Sequence, residues 1–271
     1  MKKGFFVLAG MALLFVIGGV AFAQPNTKSV ATITIDNFDT DNAQNYPVWV
    51  KGKLDTLNWG WGVNASRFVT EGYPILTTFE AIPNSLRVLR TDTENAPMVL
   101  GVKTRFDRKG DNWFEIFPTD GENNIEIPLE GNVTQIDFWV WGANYLYFLD
   151  LLVRDSDGAI HILPAGNLAF NGWKNIVVKI PGHLRQRSRL RSGPEKMTFV
   201  GFRVSTDPAE FVDDFLIYFD DLKYTTYTLS NIFDGYELKN SDFGDDEESE
   251  SSSSGSDASS NSDSNSGDNA R

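Results

Sequence analysis

The sequence predicts an all-β fold, an antiparallel two-sheet β-sandwich of the jelly-roll kind. Three observations carry this. Apolar residues recur mainly with period two, as on a strand with one buried face. The apolar runs are rich in β-branched and aromatic residues and are bounded by Gly, Pro, Asn and Asp. No long window shows the three-to-four spacing of an amphipathic helix.

The strands follow in chain order. Thr32–Ile35 alternates, and so does Ile136–Trp141. Tyr145–Val153 is a nearly continuous apolar run, as in a sandwich core. Asp155-Ser156-Asp157-Gly158 is turn chemistry leading into a strand at Ala159–Leu163. Trp173–Ile180, Met197–Ser205 and Phe215–Tyr224 complete the set. A short helix of a turn or two is expected at His183–Arg191. Residues 24–240 contain no linker and no repeat of fixed period, so they read as one sandwich domain.

The two ends differ from this block. Lys2 and Lys3 precede an apolar run, Phe5–Val20, that ends in Ala21-Phe22-Ala23. A basic start, an apolar stretch and an A-x-A site make a secretory signal peptide, with cleavage expected after Ala23. No other segment offers the roughly 20 apolar residues of a membrane span. The chain has no Cys, so an exported domain must be held by packing, metal or assembly, which suits a bacterial periplasm or surface. Residues 241–271 are dominated by Ser, Asp and Glu and are expected to be disordered, since nothing there can be buried to offset the lost entropy. The formal charge of the whole chain is −13. Such an acidic protein is a poor partner for nucleic acid or anionic lipid.

Few residues suggest catalysis. The two His, at 161 and 183, have no Ser or Cys partner in a nucleophile motif, and they do not have zinc spacing. Paired carboxylates of the glycosidase type are the remaining option, with Glu80, Glu115, Asp137 and Asp150 as candidates, but no spacing selects a pair. No catalytic residue and no required cofactor is assigned. Asp36 and Asp39 follow the first strand, and Asp220 and Asp221 lie in the last; if those strands are neighbours, the four could supply oxygens to a structural calcium ion.

Aromatic and basic clusters point to binding. Trp59 and Trp61 share one strand face, as do Trp139 and Trp141. The second pair, among Ile136, Phe138 and Val140, is expected to pack in the core. The first, flanked by Gly, is expected at a rim and open to a partner. Arg185, Arg187, Arg189 and Arg191 form a basic loop bracketed by Pro181-Gly182 and Gly193-Pro194. In an acidic chain such a loop suits docking on carboxylates of a partner or of a second copy.

The whole precursor resembles the spirochaete flagellar filament outer-layer (sheath) protein family. The resemblance is carried by the signal peptide, Ile35-Asp36-Asn37-Phe38-Asp39, Gln135–Gly142, Phe170–Ile176, Phe219-Asp220-Asp221-Leu222 and Asn231–Leu238. Several of these stretches also look like galactose-binding jelly rolls and carbohydrate-binding modules. The Ser/Asp-rich tail departs from the family pattern. The resemblance implies a structural protein of the periplasmic flagellum that coats the core flagellin filament and tunes its stiffness and shape. It implies flagellin and other sheath proteins as partners, with self-association along the filament. A secreted carbohydrate-binding module, or a jelly-roll glycoside hydrolase, is the alternative on the same fold.

Overall fold

The computed structural model describes residues 28–39, 46–50, 53–90, 95–187 and 196–229. The expected signal peptide and acidic tail, Arg189, Arg191 and the Asn231–Leu238 stretch lie outside the described residues.

Fourteen strands and one short helix make up the described chain. In order they are β1 (Lys28–Asp36), β2 (Tyr46–Val50), β3 (Lys53–Leu57), β4 (Gly60–Ala65), β5 (Ile75–Glu80), α1 (Asn84–Arg87) and β6 (Met98–Thr104). There follow β7 (Trp113–Thr119), β8 (Ile127–Pro128), β9 (Asn132–Ala143), β10 (Tyr147–Arg154), β11 (Ile160–Asn167), β12 (Asn171–Lys179), β13 (Thr198–Thr206) and β14 (Phe215–Leu229). The fold is the expected antiparallel two-sheet sandwich. One sheet runs β12-β9-β14-β6-β5, and the other β11-β10-β13-β7-β4. The chain passes repeatedly from one sheet to the other, as in a jelly roll.

The long last strand organises the first sheet. One edge of β14 takes β6 along Phe215–Phe219 and β1 along Leu222–Leu229, while β9 lies on its other edge. First and last strands are therefore neighbours, as the sequence suggested.

The period-two pattern becomes two faces. On β9, Ile136, Phe138 and Val140 are fully buried, while Trp139 and Trp141 between them are half-buried on the outer face. On β7, Phe114 and Ile116 point inward, and Trp113, Glu115 and Phe117 outward. The core is unusually aromatic. Phe202 stacks on Phe219 at 4.8 Å between ring centroids, and Tyr147 on Phe215 at 4.3 Å. Each buried Phe contributes roughly 1.5–3 kcal/mol by leaving water, so the domain is held without disulfides by packing.

The expected helix at His183–Arg191 is not found over residues 183–187. These form a turn, an isolated bridge between Arg187 and Lys196, and a docking contact. The Gln186 amide accepts from Val133 N and donates to Val133 O, so it pairs with a strand end as a backbone group would. Side-chain capture of the β9 start competes with local helix here.

Candidate functional site

The four aspartates do meet at one end of the β1–β14 pair, where both strands are irregular. The register shifts between Thr34 and Asp36 on β1 and between Asp220 and Lys223 on β14. Phe38 (φ 59°) and Asp221 (φ 48°) adopt left-handed backbone, uncommon for non-glycine residues and costly unless the surroundings enforce it. Asp36 is buried and accepts from Phe38 N and from Trp61 Nε1, both at 2.8 Å. Asp39 accepts from Met98 N at 2.9 Å and faces the Arg90 guanidinium at 3.6 Å. Asp220, 4% exposed, accepts from Asp221 N at 2.7 Å. Asp221 pairs with Lys223.

Electrostatics at this end are unfavourable to charge. Burial, reinforced by the nearby charges of Asp39, Asp221 and Asp36, pushes the Asp220 carboxyl up to about 8, against the pull of the Asp221 amide. Among the described residues no three His, Asp or Glu side chains are gathered closely enough to hold a metal ion. The aspartates share a neighbourhood, but each is turned to its own protein donor.

Trp59 and Trp61 point to one face, as spacing requires, but the face is the interior. Trp59 is 3% exposed, and Trp61 packs between Phe38 and Phe202 while bonding Asp36. The expectation of a rim contact is corrected for both. Gly60 and Gly62 suggested a loop, but they lie in β4, where Gly62 makes room for the Phe117 ring: a Cβ there would sit 2.7 Å from it.

The described part of the basic loop lies at the surface. Arg185 is exposed and pairs with Asp157 at 3.3 Å, and its carbonyl accepts from Ser156 N. Arg185 is therefore held against the 155–158 turn. There Asp155 is held low despite burial by His161, 2.6 Å away, and by the Ala159 and Asp157 amides. Arg187 is also exposed.

The acids weighed as catalysts lie on opposite outer faces. Asp137, on β9, pairs with Lys223 at 3.5 Å, whereas Glu115 and Asp150 flank Arg203 across the other sheet. Glu115 is 3.5 Å from that guanidinium. Glu80 is exposed at the end of β5.

The feature that periodicity misplaced is the outer face of the first sheet. Trp139 and Trp141 were expected in the core, but Phe138 and Val140 hold the inward positions. Since both faces of β9 are apolar, alternation alone cannot say which is inside. Register places Trp173 beside Trp141 and Trp141 beside Tyr218. Tyr218 lies beside Gly101, over which the Phe79 ring leans. Neighbouring rings in this row are 5.4 Å (Trp141–Tyr218) and 5.6 Å (Tyr218–Phe79) apart. The next row is Asn175, Trp139 and Asp220, and the one after it Val177, Asp137 and Lys223.

Comparison with known proteins adds the following. The family described as flagellar filament outer layer protein Flaa matches residues 30–231. A putative flagellar filament outer layer-like protein of Brachyspira hyodysenteriae is 32% identical over 139 residues, covering 51% of this chain and 62% of the relative. The flagellar filament outer layer protein of Treponema pallidum is 35% identical over 104 residues, covering 35% of this chain and 30% of the relative. The alignments thus span less than two-thirds of either curated relative. Among solved structures, a family 11 carbohydrate-binding module of the Clostridium thermocellum cellulase Lic26A-Cel5E aligns over 76% of this chain and 99% of its own, at 11% identity and a TM-score of 0.36. A carbohydrate-binding module of the β-sandwich superfamily aligns over 61% of this chain and 56% of its own, at 13% identity and a TM-score of 0.38.

Proposed function

We propose, because this chain belongs to the flagellar filament outer layer protein family, that it is a structural subunit of the coat around a periplasmic flagellar filament. The family match over residues 30–231 is the observation that carries this, since it spans nearly the whole sandwich. The domain would cover the flagellin core, contact other sheath proteins and further copies of itself, and stiffen the filament without chemistry. Among the described residues no helix is long and apolar enough to cross a membrane. Export would be directed by the signal peptide, which would be cleaved after Ala23.

The test is fractionation. Periplasmic filaments freed of outer membrane by detergent are pelleted and probed for the protein. Its presence in the pellet in proportion to flagellin, with release by mild acid before the core dissolves, is the expected result. Recovery only in the soluble fraction would overturn the reading.

The Arg185–Arg191 loop is the proposed electrostatic contact. Replacing all four Arg by Glu should leave the melting temperature nearly unchanged, because exposed pairs such as Arg185–Asp157 are worth about 0–1 kcal/mol. It should release the protein from filaments, most clearly at low salt. Full filament occupancy by the four-Glu variant would remove the loop from the interface. A structural calcium ion at Asp36, Asp39, Asp220 and Asp221 is also proposed. Binding would have to draw Asp36 from Trp61 and Asp220 from the Asp221 amide. It would register as a calcium-dependent rise in melting temperature that these aspartates mediate.

A further inference from the structure

The outer face of the β12-β9-β14-β6-β5 sheet combines features that a solvated sheet surface does not need. Trp173, Trp141 and Tyr218 stand side by side on three adjacent strands, with Phe79 continuing the row. Adjacent strands are about 4.8 Å apart, and within the row the Trp141, Tyr218 and Phe79 rings follow one another at 5.4 and 5.6 Å. Gly101 keeps it continuous: a Cβ there would lie 2.7 Å from the Phe79 ring and 2.9 Å from Tyr218. Trp139 sits in the next row, beside Asn175. All three Trp are only half-buried, and Trp139 and Trp173 make no ring–ring contact among the described residues. Each of the three indoles is therefore partly exposed.

Beside the rings lies a polar pair that is fixed in place. Asp137 is 7% exposed although it is on an outward position, and Lys223 holds it at 3.5 Å while also bonding Asp221. Lys223 is shared by Asp137 and Asp221, so the cluster is mildly acidic, in a chain whose charge is −13. The other outer sheet face is different. Its Trp113 has the Arg203 guanidinium over the ring at 4.8 Å, and that Arg also pairs with Glu115.

The chemistry of the face narrows its occupant. An apolar peptide would cover the Asp137–Lys223 pair without using its remaining hydrogen-bonding capacity. An anionic ligand would be repelled by the aspartates here, and a cationic one would find Asp137 and Asp221 already paired with Lys223. A sugar ring offers an apolar C–H face to an indole, and hydroxyls that both donate and accept to its polar neighbours. We propose that this face is a saccharide-binding platform, with Trp139, Trp141 and Trp173 stacking on sugar rings and Asn175 and the Asp137–Lys223 pair bonding their hydroxyls. The ligand is a neutral glycan displayed on the filament surface. The filament as the source of that glycan rests on the coat reading.

The experiment uses the full-length mature protein. It is sedimented with purified filaments, untreated or oxidised with periodate to open sugar diols, and with isolated peptidoglycan sacculi. In parallel, cellohexaose, xylohexaose and galactohexaose are titrated into it calorimetrically. Trp139→Ala is compared with Trp173→Ala, whose position on the edge strand makes it the safer variant for folding, and both are checked by circular dichroism. Sedimentation with untreated filaments should be lost on periodate oxidation. It should weaken at least tenfold in each variant, a change of about 1.4 kcal/mol. If wild type and both variants pellet equally with treated and untreated filaments, the platform is overturned while the coat reading stands. Capture by sacculi and not by filaments overturns the filament as the source. If wild type does not pellet with untreated filaments, the coat reading falls. The platform then stands only if an oligosaccharide binds and the Trp variants lose it, and falls if none binds.

Discussion

Gly201→Ala is expected to destabilise the sandwich by about 3 kcal/mol or more, the sum of a backbone clash and a strained dihedral. Gly201 lies in β13, in the middle of the second sheet, with φ at 152°. A Cβ added there would lie 2.3 Å from the Ile116 carbonyl oxygen and 3.2 Å from Phe117 Cα on β7. These are backbone atoms of a paired strand, so no side chain can swing aside. The β13–β7 ladder, in which Phe202 opposes Ile116, must open instead. Phe202 is the ring on which Trp61 and Phe219 stack, so the damage reaches the centre of the core. Since domains of this kind have about 5–15 kcal/mol in total, a large share of the stability goes with one methyl group. Gly60→Ala is the control, because a Cβ there meets nothing within 4 Å. Urea unfolding of the three proteins measures the difference. Equal midpoints for Gly201→Ala and wild type would show that the β13–β7 ladder absorbs the methyl group.

How much of this was legible in the residues depends on which interaction decides each feature. The strands from Ile136 onward were readable because each has one apolar face or a continuous apolar run, and their ends carry turn residues. The adjacency of β1 and β14, and hence the meeting of Asp36 and Asp39 with Asp220, also followed from strand logic. Periodicity failed where both faces of a strand are apolar. On β9 it offered Trp139/Trp141 and Phe138/Val140 as equivalent sets. Only pairing with β12 and β14 put the Trp outside, beside Trp173 and Tyr218. The opposite error occurred at Trp59 and Trp61, where flanking Gly looked like a rim. Of the two, Gly62 makes room for the Phe117 ring, and the indoles pack into the core. Long-range capture was invisible too: the Gln186 clasp on Val133 spans a separation that no local window reports.

Asp220→Asn should stabilise the protein at alkaline pH and flatten its pH dependence. The Asp220 carboxyl is pushed up to about 8, first by burial and then by the charges of Asp39, Asp221 and Asp36. In the unfolded chain it would ionise near the ordinary value of about 3.9. Between these values the native state holds a proton that the unfolded state has released. By linkage, stability therefore falls as pH rises from about 4 to about 8, and this contribution is constant outside that window. The slope approaches about 1.4 kcal/mol per pH unit, so the full effect is on the order of several kcal/mol. Carboxylates held low, such as Asp155 and Glu210, act in the opposite sense and only at acid pH, so the two effects separate along the pH axis. Asn keeps an oxygen to accept from the Asp221 amide, which Asp220 does at 2.7 Å, and carries no charge at any pH. The measurement is a set of melting curves from pH 5 to pH 9 for both proteins, with EDTA and with calcium. In EDTA the variant should gain on wild type up to about pH 8 and keep a constant margin above it, and parallel curves throughout would show that Asp220 ionises without penalty. Calcium gives a second, independent contrast. An ion held by Asp220 favours the charged carboxylate, so it should lift wild type toward the variant at high pH and leave the variant unmoved. A calcium effect equal in both proteins would place any bound ion away from Asp220.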